Sequence, residues 1–169
     1  MNLRLVKSLS VIGVALSLAA CSSVSLDDSA STGAAGTAAG SAGASASNIM
    51  DPFNPSSVLA TDRSVYFEFN SYTVDSQYQP LVETHARYLS SHPQQKILIE
   101  GNTDARGGAE YNLALGNRRA EAVRRMMTLI GARDAQIETI SFGKEKPKAL
   151  GDTEADYAEN RRADIVYLR

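Results

Sequence analysis

From residue 63 onward the hydrophobic positions alternate between strand-like and helix-like spacing. Ser64-Val65-Tyr66-Phe67-Glu68-Phe69 is β-branched and aromatic with a period of two, which predicts a strand. Tyr78, Leu81, Val82, His85 and Leu89 then recur at helical spacing. Asp75 or Ser76 can cap that helix, Pro80 suits its first turn, and His92-Pro93 ends it. Lys96 to Glu100, with Ile97-Leu98-Ile99 at its centre, predicts a short buried strand. After a loop at Gly101–Gly108, the residues Gly116, Ala120, Val123, Met127 and Ile130 mark one face of a second helix, closed by Gly131 as C-cap. Ile137 to Phe142 predicts a third strand, Lys144 to Asp152 a loop, Thr153 to Glu159 a helical turn or two, and Ala163 to Leu168 a fourth strand. The order β-α-β-α-β-(α)-β describes an α/β fold, an α+β sandwich spanning residues 63–169.

The pattern stops ahead of residue 63. Ser22 to Ser47 holds 8 Ser, 8 Ala and 4 Gly in 26 residues, too little apolar side chain to offset the entropy of ordering it. It reads as a flexible linker. Asn48 to Asp62, with Pro52 and Pro55, reads as an extended lead-in that docks partly on the domain. At the front, Arg4 and Lys7 precede an apolar run, Leu9 to Ala20, that is short for a membrane span and right for a secretory signal. Leu18-Ala19-Ala20-Cys21 resembles the bacterial lipobox, in which the cysteine carries lipid and becomes the new amino terminus. A plain secretory signal followed by a chance cysteine is the alternative. The single cysteine of the chain falls at this one position, which favours lipidation. Ser22, in place of aspartate, implies export to the outer membrane. The expected division is a lipoprotein signal at 1–20, a lipidated cysteine with its linker at 21–62, and a domain at 63–169.

Composition narrows the function. The chain of 169 residues has room for one ordinary domain besides the leader and linker. With 17 basic against 19 acidic side chains and a net charge of -2, it carries no electrostatic footprint for nucleic acid. One cysteine and two histidines leave neither an internal disulfide nor a cysteine cage, and no metal or cofactor is expected. The loop Gly101–Gly108 leaves a buried strand and opens a helix, where open α/β sheets bind ligands. It lacks GxGxxG and Gly-Lys-Ser/Thr, so phosphate cradling is not expected. Two readings fit its charges. Asp104 and one of Arg118 or Arg119 can hold the two ends of an amino acid zwitterion. Alternatively, Asp104 caps the loop and the arginines are solvated. Glu100 and Glu110 could be imagined as a carboxylate pair for glycoside hydrolysis, but they read as ordinary solvated acids. No nucleophile elbow, catalytic cysteine or metal-ligand set is visible, so an enzyme is not expected. His85 reads as a satisfied core histidine, His92 as exposed, and Met126 and Met127 as core filler.

Three blocks carry a resemblance: Asn102-Thr103-Asp104-Ala105-Arg106-Gly107, Glu110 to Ala120 with its Gly116-Asn117-Arg118-Arg119-Ala120, and Asn160-Arg161-Arg162-Ala163. Together they resemble the OmpA-like peptidoglycan-binding domain, from about Val65 to Tyr167. Val65 to Phe69, Ser141 to Pro147 and the lipobox add similarity to a lipoprotein branch of that family. The resemblance implies a mixed four-stranded sheet of order 1-4-2-3, with its last strand antiparallel and two helices on one face. It implies non-covalent binding of the diaminopimelate in the peptide stem of peptidoglycan. Asp104 would meet the ammonium and Arg119 the carboxylate, as cleft charges whose removal spares the fold. Phe69, Asn70, Thr103, Asn112 and Leu115 would line the rest. Arg161 or Arg162 would be structural, pairing near the site. The branch usually has aspartate at Asn70 and histidine at Asn102; neither asparagine carries charge, and both can hydrogen-bond. The implied role is tethering the outer membrane, through lipid on Cys21, to the cell wall, in support of envelope integrity and cell division. The implied protein partners are a TolB-like periplasmic propeller and other Tol proteins. Another wall-anchoring lipoprotein of the family, outside the Tol system, is the alternative.

Overall fold

The structure, a computed structural model, describes residues 50–169. The signal segment, Cys21 and the Ser/Ala/Gly linker lie outside the described residues. The elements are α1 (Val58–Thr61), β1 (Ser64–Tyr66), α2 (Gln79–Ser91), β2 (Ile97–Asn102), α3 (Ala109–Ile130), β3 (Ile137–Gly143), α4 (Glu154–Asn160) and β4 (Arg162–Tyr167). The four strands form one sheet in the order β1-β4-β2-β3. β4 runs antiparallel to both neighbours, with Val65 opposite Ala163 and Ile99 opposite Ile165. β2 and β3 are parallel, a pairing that requires the crossover α3 supplies between them. This is the mixed sheet the family resemblance implied.

Alternation sorts the side chains between the two faces. Val65, Ile97, Ile99, Ala163, Ile165 and Tyr167 point into one core with Val82, Ala86 and Leu89 of α2 and Ala120, Val123 and Met127 of α3. α3 lies on β2 backbone to backbone. A Cβ added at Gly101 would sit 1.9 Å from the Gly116 carbonyl oxygen, and one at Gly116 would sit 2.8 Å from that of Gly101. Two glycines therefore set how deeply the helix rests on the sheet. The other face carries polar residues that bond one another. Asp164 accepts from Ser64 Oγ at 2.6 Å, Arg162 Nε at 2.9 Å and Asn102 Nδ2 at 3.4 Å.

Several local expectations shift. β1 ends at Tyr66 rather than Phe69, because the Glu68 and Ser71 carbonyls turn away to accept from Arg119. Asp75 caps a 3-10 turn at Ser76–Tyr78, which leads into α2. Ile130, at the last turn of α3, is exposed, while Gly131 ends the helix with φ 124°, donating to Met127 and Thr128. Glu100 is not a solvated acid: it is 8 % exposed and ion-paired with Lys146. The lead-in is not extended throughout, since α1 forms there with Ser57 as N-cap and Leu59 fully buried. Arg63 reaches back to the Pro52 carbonyl, and Phe53 packs edge-on to Tyr167 at 6.4 Å. Packing thus extends ahead of residue 63. His85 is the satisfied core histidine expected: its Nε2–H donates to the Asp62 carbonyl at 2.7 Å, so Nδ1 accepts from the Tyr167 hydroxyl at 2.8 Å.

Candidate functional site

Two loops and one helix build the cleft. The segment after β1 supplies Phe69 and Asn70, the loop after β2 supplies Thr103, Asp104 and Arg106, and the first turns of α3 supply Tyr111, Asn112, Leu115 and Arg119. They enclose a cavity of about 190 Å³ whose lining includes all seven residues expected there. A larger groove of about 620 Å³ lies across the Phe67–Ser71 segment and contains none of them.

The loop after β2 is held by its own polar groups. The Thr103 N–H donates to the Gly143 carbonyl at 2.8 Å, tying the loop to β3. Asn112 Nδ2 donates to the Arg106 carbonyl at 2.8 Å, which fixes the loop to α3. Asn70 sits at φ 55°, a left-handed conformation that asparagine tolerates, and its Oδ1 accepts from the Tyr111 hydroxyl. Asn102 lies outside the cleft lining: its side chain faces the polar side of the sheet, donating to Glu100 O and Asp164, with Oδ1 unpartnered.

The two charges differ from simple cleft groups. Asp104 is 5 % exposed, and its oxygens are occupied. Oδ2 accepts from Arg106 Nη2 at 2.6 Å and lies 3.5 Å from Arg161 Nη1, while Oδ1 accepts from the Arg106 N–H at 3.2 Å. Burial alone would push its carboxyl up, but the bonds and charge of Arg106, joined by Arg161, hold it below the usual carboxylate range. Arg119 is fully enclosed. It donates to Ser71 O at 2.9 Å, Asn102 O at 2.8 Å and Glu68 O at 3.3 Å, and stands over the Phe67 ring. Burial pushes it down to about 10, so it stays cationic at neutral pH. The expectation that removing Arg119 spares the fold is therefore corrected. This guanidinium clamps three strand and loop carbonyls, and it also lines the cavity.

Arg161 is structural, as the resemblance implied. Its Nε donates to Phe67 O at 3.0 Å and its Nη1 reaches Glu154 at 2.8 Å. The sequence pattern assigns no role to Arg106 or Tyr111. The Arg106 guanidinium lies 4.3 Å from the ring centroids of both Phe69 and Tyr157 and reaches Glu154 at 3.2 Å. Its position two residues after Asp104 was the available signal; Tyr157 and Glu154, on a distant helix, offered none. Among the described residues no cluster of His, Cys, Asp or Glu could hold a metal, and no helix is long and apolar enough to cross a membrane.

The model of the OmpA family matches residues 66–161, the span that contains every lining residue of the cleft. The chain belongs to the OmpA family. It is 43 % identical to the peptidoglycan-associated lipoprotein of Haemophilus influenzae, over 97 % of this chain and 99 % of that one. The protein of the same description from Pasteurella multocida is 40 % identical over the same shares. Among solved structures, the peptidoglycan-associated lipoprotein from Burkholderia pseudomallei is 62 % identical, with a TM-score of 0.67, covering 69 % of this chain and 98 % of that one. The C-terminal domain of Helicobacter pylori MotB, 21 % identical with a TM-score of 0.58 over 63 % of this chain and 84 % of that one, shares the fold.

Proposed function

We propose that this protein binds peptidoglycan without covalent chemistry, through the diaminopimelate of the peptide stem, and ties the outer membrane to the cell wall. The observation that carries this reading is the convergence of Phe69, Asn70, Thr103, Asp104, Asn112, Leu115 and Arg119 on one cavity, in a chain whose relatives are named for their association with peptidoglycan. A buried carboxylate and a buried guanidinium lining one small cavity suit a zwitterion, whose own charges replace water at both ends. Asp104 would accept the ammonium, and the N–H groups that Arg119 does not spend on backbone would meet the carboxylate. Residues 1–20 would be removed as a signal, lipid on Cys21 would anchor the outer membrane, and Ser22–Ser47 would bridge to the domain. Binding rather than cleavage is the activity, and the Tol proteins, a TolB-like propeller among them, are the partners of that tether.

Co-sedimentation with purified sacculi, with free diaminopimelate as competitor, tests the wall contact. Wild type should sediment with the wall and be released by competitor, and it should clear no zone in a sacculus zymogram. Asp104→Ala should lose binding. Retained binding in that variant, or cleared wall, would refute the reading. Cys21→Ala should leave the outer-membrane fraction, and a variant that stays embedded there would remove the anchor from the proposal.

A further inference from the structure

Residues 52–62 fold back on the domain as a strap. The Arg63 guanidinium donates to the Leu59 carbonyl at 2.8 Å and to that of Pro52, eleven residues ahead of it, so the two ends of the strap lie side by side. The Asp62 carbonyl is held by His85, and Phe53 lies against Tyr167 with the Arg169 guanidinium 5.1 Å from its ring centroid. Leu59 has no exposed surface, yet it stands apart from the core cluster of sheet and helices. Two cavities follow the seam, one of about 460 Å³ between Phe53 and the turn after α2, the other of about 200 Å³ beside Val58 and Asp62. Packing across the seam is incomplete, and such a segment opens at lower cost than a close-packed core. The strap also sits far from the cleft. Its neighbour Tyr167 pairs with Ile97 at the start of β2, whereas the cleft loop leaves after Asn102 at the end of that strand, roughly 17 Å along it.

We propose that this strap is a releasable reserve of tether length, which peels from the domain under tension before the sheet yields. This rests on the reading of the chain as a tether, pulled at the cleft and through the chain ahead of residue 50. The order of opening follows from the direction of the pull. β1 is drawn at its start and β2 at its end, with β4 antiparallel between them, so the rungs of the ladder lie across the pull and share it. The strap contacts meet the pull one after another, from Pro52 inward, and each in turn carries all of it. Release leaves the sheet whole, because β1 begins to pair with β4 only at Ser64, and His85 exchanges the Asp62 carbonyl for water. The eleven residues from Pro52 to Arg63, at about 3.4 Å each, lengthen the tether by roughly 30 Å beyond their folded span. The wall contact then meets a lower peak force while the strap opens.

Magnetic tweezers test this on the chain from Cys21 to Arg169, produced without its leader so that Cys21 keeps a free thiol. One handle is attached at Cys21 and the other at the thiol introduced by Ala105→Cys, an exposed position of the cleft loop outside the cavity lining. Two steps are expected. The first is reversible, at low force, with a contour gain of roughly 30 Å, and the second, at higher force, gains roughly 120 Å as the segment from β1 to β2 unfolds. Leu59→Ala should raise the open-to-closed ratio of the first step at least about 30-fold at fixed force and leave the second where it was. Phe53→Ala, which loses a half-exposed ring, should shift the first step in the same direction by less. A single step that opens strap and sheet together would overturn the proposal, as would a first step indifferent to both substitutions. Two steps in a chain that does not sediment with sacculi would leave the order of opening intact and overturn its role in a tether to the wall.

Discussion

Arg119→Ala should destabilise this domain strongly, whatever it does to ligand binding. The guanidinium ties the Asn102 carbonyl on β2 to the Ser71 and Glu68 carbonyls of the segment after β1. Hydrogen bonds from a charged donor are worth roughly 1.5–3 kcal/mol each. Asn102 is 1 % exposed, so its carbonyl has no water to turn to. Ser71 is half-buried and Glu68 exposed, so water replaces part of what they lose. Counting the first bond in full and the other two at half gives a loss of about 4 kcal/mol. For a folded unit of this size that lowers Tm by roughly 12–20 °C. Asp104→Ala is the contrast. Arg161 keeps Glu154 and the Phe67 carbonyl, and Arg106 keeps Glu154 and two rings. Its cost should be about 1 kcal/mol. Calorimetry of wild type and both variants at neutral pH measures the difference. An Arg119→Ala Tm within about 5 °C of wild type would refute the clamp and restore Arg119 as a simple cleft charge.

Gly101→Ala should cost about 3 kcal/mol and weaken sacculus binding, because its new Cβ meets the Gly116 backbone and lifts the helix that carries Asn112, Leu115 and Arg119; an unchanged denaturant midpoint would refute the close packing. His85 supplies a pH dependence. Burial holds it below its ordinary value of 6.5, so the unfolded chain takes up a proton first as the medium acidifies. Stability should be full above about pH 6.5 and fall from there toward the lower folded pKa. Urea midpoints between pH 8 and 5 should show that loss in wild type and a flatter profile in His85→Gln, and parallel profiles would count against it.

Local pattern was enough for much of this molecule. The period-two run at Val65, Ile97-Leu98-Ile99 and Ile137, and the helical spacing of Val82, His85 and Leu89, place the strands and the two long helices within a few residues, because which face is buried is written in neighbouring positions. The cleft was legible for a different reason. Thr103 and Asp104 lie in one loop, and Asn112, Leu115 and Arg119 on one helix that follows it, so a short stretch of chain holds most of the lining. Periodicity, by contrast, could not place β4 between β1 and β2, since that depends on pairing Val65 with Ala163 across nearly the whole domain; only the family resemblance implied it. Nor could it tell that Arg119 is enclosed. Its acceptors are 17, 48 and 51 residues away, and an arginine reads as a surface residue until distant carbonyls are brought to it. The same holds for Arg106. Asp104 is its neighbour in sequence, but Phe69, Tyr157 and Glu154 come from other elements, and only the packed fold turns a loop arginine into one side of a closed ion pair. Backbone pattern is a property of a segment and survives without partners; the state of a buried charge is a property of its surroundings, and those exist only once the chain has folded.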